Sequence, residues 1–168
     1  MNQDRIREKL ADKFGQDVLR FDSTFDGITV GVPFEKILDV CHYLKDESEL
    51  KFDFLSFVGA IDHYPAEPRF EVVYQLYSVQ NVQRLRLRSK IEEYEGNTPS
   101  VKSVTKIWRT ADWHERETAE MFGIVFLNHP DPRKLLLPDE WRAHPLRKDF
   151  PLEGTEEETP DLPSQKTF

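Results

Sequence analysis

The stretch RFEVVYQLYSVQNVQRLRLRS, residues 69–89, decides the fold. Phe70, Val72, Tyr74 and Leu76 fall on alternate positions, so residues 69–77 read as a strand with one apolar face. Residues 82–89 repeat the pattern, with Leu85 and Leu87 on one side and Arg84, Arg86 and Arg88 on the other. Gln80 and Asn81 lie near the turn between the two runs. One face of this pair therefore needs a core, and the other is basic and polar.

Upstream, FDFLSFVGAI at 52–61 is apolar on both alternating faces, which suggests an interior strand covered on both sides by helix or by a partner. DHYPAEP, 62–68, is a loop, because two prolines three apart do not fit a central strand. Residues 3–14 read as a helix through Ile6, Leu10 and Phe14, with Gly15 as its stop. Residues 17–22 and 28–32 read as strands joined by a polar turn around Asp22–Gly27. Pro33 suits the first turn of a second helix, whose apolar stripe is Phe34, Ile37, Leu38, Cys41 and Leu44. The body is expected to be α+β: a mostly antiparallel sheet with helices on one side.

Downstream, EYEGNTPS at 93–100 is a loop and SVTKIW at 103–108 suggests a short helix. Thr110 is a candidate N-cap for a helix over Ala111–Phe122, with Asp112 and Glu115 near its positive end. Gly123 suits the left-handed C′ position, and Ile124–Phe126 can add a short strand. After Asn128 the periodicity stops, and prolines at 130, 132, 138, 145 and 151 interrupt any long helix or ladder. Leu135–Leu137, Trp141, Leu146, Phe150 and Leu152 remain in that stretch. A solvated linker rarely carries so many large apolar groups, so they need burial on the body or on another protein. The organisation is an α+β body over 1–127, an extended proline-rich docking strap over 128–152, and an acidic tail over 153–168 expected to be mobile.

Composition narrows the function. A single cysteine excludes an intrachain disulfide, and an iron–sulfur cluster normally needs about four thiolates, more than this chain has. Cys41 lies in a helical apolar stripe and reads as a buried inert thiol. No apolar run approaches the roughly 18 residues of a membrane span, and MNQDRIREKL lacks the apolar core of a signal peptide. A net charge of −8 argues against a dedicated nucleic-acid binder.

Three constellations carry candidate chemistry. Glu115, Arg116 and Glu117 are consecutive on the helix, so they cannot share one face, and at least one must meet the body or a partner. Arg116 and Glu120 are four apart and can pair. His114 and Glu117, with His129 and His144 from the strap, permit a His/carboxylate set for a metal-dependent hydrolase. HERE is nevertheless not the H-E-x-x-H arrangement, and capping or hydrogen bonding is the simpler role. The stripe Arg84, Arg86, Arg88, Lys90 permits a nucleic-acid-binding module. Its simpler role is a solvent face paired across to acids such as Glu71. Trp141 and the HPLRKDF run are the expected energetic anchors of the strap.

DWHERETAEMFGIVF followed by HPDPRKLLLP and HPLRKDFPL closely resembles the thirty-kilodalton-subunit family, the C subunits of respiratory complex I, the proton-pumping NADH–quinone oxidoreductase. The match covers Trp113–Leu152 and joins a charged helix, an H-P-D turn and an H-P-L-R-K-D strap in one order. It departs from the family pattern at Glu120, where aspartate is usual, at Asn128, where glycine is, and at Pro132, where leucine is. Asn tolerates positive φ, so the turn at 128 is expected to survive.

The resemblance implies an accessory scaffold subunit of the peripheral arm, with its C-terminal segment lying on the large quinone-site subunit, beside cluster-bearing neighbours. It implies no catalytic, cofactor-binding or metal residue in this chain. FMN and iron–sulfur clusters would sit in other subunits, with quinone as acceptor. The implied partner interface is Trp113, Glu115, Arg116, Glu117 and Phe122 on the helix, His129, Pro130 and Arg133 in the turn, and Trp141, His144, Pro145, Leu146, Arg147, Lys148 and Asp149 in the strap. The expected location is peripheral, on the cytoplasmic face of a bacterial inner membrane, reached only through the complex.

Overall fold

The computed structural model describes residues 3–15, 19–24, 27–91 and 98–152. Its elements run α1 (Gln3–Phe14), β1 (Arg20–Thr24), β2 (Gly27–Gly31), a 3-10 turn (Phe34–Lys36), α2 (Ile37–Asp46), β3 (Phe54–Asp62), β4 (Phe70–Ser78), β5 (Gln83–Ile91), β6 (Ser100–Lys102), α3 (Ala111–Phe122) and β7 (Val125–Leu127). The acidic tail expected at 153–168, most of the loop expected at 93–100 and the centre of the turn before Gly27 lie outside the described residues.

The strands form one five-stranded sheet in the order β1-β2-β5-β4-β3, and β6 pairs with β7 in a small second sheet. Only β2–β5 is parallel within the large sheet. The expected α+β architecture therefore holds. The Phe70–Leu76 alternation places Phe70, Val72, Tyr74 and Leu76 on the core face, in register with Leu85, Leu87 and Ile91 of β5. Ile6 and Leu10 of α1, and Ile37, Val40, Cys41 and Leu44 of α2, are buried in the same core. Burial pushes the Cys41 thiol well above its ordinary range, as the inert reading requires.

Three expectations change. First, β3 is an edge strand, not an interior one. A register shift between Leu55 and Phe57 lets Leu55 and Val58, three apart, both reach the core. Phe54, Phe57 and Ile61 then fall on the opposite face, 47%, 49% and 40% exposed. That bulge is why the segment reads as apolar on both sides.

Second, residues 103–108 form turns instead of a helix. Ser103 N–H bonds to Leu127 O at 3.0 Å, which continues the β6–β7 pairing and competes with helix formation. Third, Thr110 does not cap α3. Its hydroxyl donates to Leu55 O at 3.0 Å, and the Trp108 indole N–H donates to Phe52 O at 3.1 Å. Both bonds hold α3 along the outer edge of β3, which blunts an otherwise open sheet edge. Two helices thus cover one face of the sheet, and the third covers an edge.

Candidate functional site

α3 begins where sequence places it and ends at Gly123, which has φ 72° and donates to Ala119 O at 2.8 Å. A helix end leaves further carbonyls without partners. The strap satisfies them in order. His144 Nδ1 donates to Glu120 O at 2.8 Å, Leu146 N–H to Met121 O at 3.1 Å, and Arg147 Nε to Phe122 O at 2.7 Å. The H-P-L-R run is therefore a helix C-cap supplied from a later part of the same chain, and its arginine lies at the negative end of the helix dipole. The Arg147 guanidinium also stands 5.1 Å over the Phe70 ring.

The outer side of α3 holds the first half of the strap. Arg116 and Glu120 do not pair with each other. Arg116 donates to Arg133 O at 2.9 Å and Lys134 O at 3.0 Å, lies 3.7 Å from the Asp131 carboxylate, and stacks 5.5 Å from the Trp113 ring. The Glu120 carboxylate accepts the successive backbone N–H groups of Leu135, Leu136 and Leu137. Three converging N–H groups make an anion nest, and burial leaves the carboxylate no better partner. Asn128 takes φ 65°, so the turn survives the loss of glycine.

Beneath the helix, Glu115 is fully buried. One oxygen accepts Val104 N–H at 2.7 Å, and the other has no hydrogen-bond partner. Burial pushes this carboxyl up to about 7, against the pull of the Ser103 hydroxyl and Val104 N–H and with a further push from Asp112. His129 lies beside it, with Nε2 at 3.9 Å from the free oxygen. His129 Nδ1 accepts Asp131 N–H at 3.1 Å, so Nε2 carries the proton and donates to Asp112 O, also at 3.1 Å.

The far end of the strap is tied to the sheet. Arg69 bonds both oxygens of Asp62 at 3.1 and 3.0 Å and reaches Asp149 at 2.6 Å. Asp62 also accepts Lys148 N–H at 2.8 Å and Tyr64 N–H at 2.9 Å. Burial opposes ionisation of Asp62, but Arg69 and these N–H groups bring its pKa down to about 2.

The fifteen residues expected at a partner interface therefore divide. Glu115, Arg116, His129, His144, Arg147 and Asp149 all contact this chain's own body or strap. Phe122 and Pro145 are half-buried. Trp113 is 62% exposed, and Glu117, Pro130, Arg133, Leu146 and Lys148 also face outward. Trp141 is half-buried, with its indole N–H unpartnered. The hydrolase set does not converge: His114 packs edge-on against Phe57 at 5.9 Å, and among the described residues no group of three His, Cys, Asp or Glu side chains is placed to hold a metal. The arginine strand is held by its neighbours: Arg86 donates to Gln75 at 3.2 Å and Arg88 pairs with Glu71. Burial raises Glu71, but Arg88 and then His63 pull it below its ordinary value.

Sequence reading missed Asp62 and Arg69 as strap anchors. The available signal was an acid and a base flanking the double-proline loop. It also gave Glu120 the wrong partner: its i+4 spacing suggested Arg116, whereas its carboxylate holds the backbone of Leu135–Leu137.

Residues 30–156, which contain most of the sheet, α3 and the whole strap, match the family described as "Respiratory-chain NADH dehydrogenase, 30 Kd subunit". The chain belongs to this family. Its relatives include the second C subunit of NADH-quinone oxidoreductase from Rhizobium etli (strain CIAT 652), 44% identical over 88% of this chain and 77% of the relative. Another is the C subunit of NADH-quinone oxidoreductase from Geotalea uraniireducens (strain Rf4), 41% identical over 89% of this chain and 88% of the relative. The solved trypsin-resistant fragment of Nqo5 is similar at 29% identity and TM-score 0.62, over 78% of this chain and 99% of the fragment. A chain of the membrane-bound sulfane sulfur reductase, an archaeal respiratory membrane complex, shares the fold at TM-score 0.71 and 22% identity, over 89% of this chain and 85% of that one. As a member of the family the chain is an accessory component of a multi-subunit respiratory complex. No described helix is long and apolar enough to cross a membrane.

Proposed function

We propose that this chain is a non-catalytic scaffold of the peripheral arm of a proton-translocating NADH–quinone oxidoreductase, and that it docks on the large quinone-site subunit. Electrons would pass from NADH through FMN and iron–sulfur clusters in other chains to quinone. This chain would stabilise that route and hold no redox group of its own. It would sit peripherally on the cytoplasmic face of the inner membrane, held there by its partners.

The observation that carries the reading is that α3 and the strap form one capped unit whose outer surface meets nothing else among the described residues. Trp113 is 62% exposed with the Arg116 guanidinium over its ring, and Leu136 and Leu146 are more than half exposed. Interface hot spots are enriched in Trp and Arg, and the exposed leucines beside them add apolar contact area.

The test is mild detergent extraction of native membranes followed by pull-down on this chain. Recovery of the large quinone-site subunit with cluster-bearing partners is expected. A chain recovered alone from the soluble fraction would overturn the reading.

A further inference from the structure

The sheet has two faces, and within the described residues helices cover only one; on the other, Thr29 and Glu71 are buried, while Arg84, Lys90 and the outward side chains of β3 are exposed. The registers lay the open face out in rows. One row runs Asp22, Thr29, Arg86, Gln75, Phe57, and the next runs Arg20, Gly31, Arg88, Val73, Gly59. Arg84, Tyr77 and Phe54 make a third, and Lys90, Glu71 and Ile61 a fourth. Every row passes from cationic or polar on β5 to apolar or small on β3. The face is thus divided lengthwise into a basic half and an apolar half.

The apolar half is built and exposed. Phe54, Phe57 and Ile61 line β3, and Tyr64 follows at 48% exposure. The Phe57 ring lies flat along the strand, so close that a Cβ added at Gly59 would overlap it, and its edge meets His114 of α3 at 5.9 Å. Such a contiguous strip is what interaction surfaces on soluble chains present. Among the described residues the basic half carries Arg20, Arg84, Arg86, Arg88 and Lys90 against Asp22, Glu71 and the nearby Glu35, although the whole chain has net charge −8. The face is therefore opposite in sign to the rest of the molecule.

We propose that this face seats an acidic amphipathic helix of a neighbouring subunit, lying over β3 and β4 with its acids toward Arg84 and Lys90. The inference rests on the scaffold reading for the existence of a neighbour, and it adds a second docking surface separate from α3 and the strap. A helix fits because an amphipathic helix carries an apolar stripe flanked by a charged one, which matches the lengthwise division of this face into apolar β3 and basic β5. A strand added beside β3 does not fit, since α3 already occupies that edge through Thr110 and Trp108. Charge complementarity sets the sign of the partner's polar stripe.

The experiment uses the assembled complex in native membranes. A photoreactive phenylalanine derivative replaces Phe54, which keeps the apolar ring, and irradiation is followed by peptide mapping. The expected adduct joins this chain to one neighbouring subunit at a helix bearing an acidic stripe. Arg84→Glu, on the exposed basic half, should lower adduct yield by roughly fivefold or more while the isolated chain melts unchanged. An adduct to residues 153–168 of this same chain, no adduct, or an adduct insensitive to Arg84→Glu would each overturn the inference. Trp113→Glu, measured in parallel, separates the two readings. Normal adduct formation at Phe54 in a complex that still assembles with Trp113→Glu would sink the α3–strap surface alone. Normal assembly with Phe54→Glu, together with failure of Trp113→Glu, would sink the sheet face alone.

Discussion

Replacing Glu115 by Gln should stabilise the protein at alkaline pH and flatten its stability profile near neutrality. The carboxyl is fully buried, has one oxygen on Val104 N–H and the other unpartnered, and titrates at about 7 against an ordinary value of 4.5. An acid whose pKa is raised in the folded chain makes the native state hold the extra proton. Its contribution is fully present below about pH 4.5 and is lost as pH rises through about 7. At about 1.4 kcal/mol per unit, the loss by pH 9 is about 3 kcal/mol. Gln keeps the oxygen that Val104 needs and replaces the buried, unpartnered oxygen with an uncharged N–H₂ beside His129. The assay is urea denaturation at pH 5 and pH 8.5, followed by tryptophan fluorescence. The parent should lose about 2–3 kcal/mol between the two pH values through this group, and Glu115→Gln should lose correspondingly less. A variant less stable than the parent at pH 8.5, with an unchanged slope, would refute the argument. It would mean that Glu115 is ionised in the native chain and held by a protonated His129.

Further outcomes follow from the strap contacts. Gly123→Ala should destabilise by about 2 kcal/mol or more in the same denaturation assay, since the position has φ 72° and the new Cβ would overlap the Arg147 and His144 side chains. Arg69→Met leaves Asp62 buried without its cation, so a loss of about 3–5 kcal/mol is expected at pH 7. That loss should shrink as pH falls below 4 toward 2, where Asp62 takes up a proton, and thermal melts across pH will read it. Arg147→Ala removes a charged donor from Phe122 O, and amide hydrogen exchange at Leu146 and Lys148 should accelerate at least tenfold while β4 remains protected. Arg147→Glu should weaken assembly into the complex more than Arg86→Glu does; equal yields in pull-down would remove the ranking of strap over arginine strand.

Local signals were read well, and contacts distant in sequence were not. The bounds of α3 and the role of Gly123 follow from three-residue chemistry, and Asn128 keeps its positive φ for the same reason. The β4–β5 pair follows from alternation alone. What failed depended on geometry that alternation does not encode. A single-residue bulge near Ser56 moved Val58 onto the core face beside Leu55, and so turned an apparently interior strand into an edge with an apolar outer face. Thr110 looked like a cap because the sequence does not show Leu55 O waiting beside it. In the candidate site, the residues of the signature were legible, but which of them also bind this chain's own backbone was not. Arg116, His144 and Arg147 have the chemistry of interface anchors, yet all three satisfy backbone carbonyls of this same chain.

The strap's attachment to α3 has a consequence for how the protein enters its complex. A segment that orders only on docking gives up about 1–2 kcal/mol of backbone entropy per residue at that moment. Here the loss is met when the monomer folds, through Glu120, Arg116, His144 and Arg147 on the helix and Asp62 and Arg69 on the sheet. A docking surface built on this unit would be preorganised, and association through it would be a meeting of rigid shapes whose rate is set by diffusion and orientation rather than by folding.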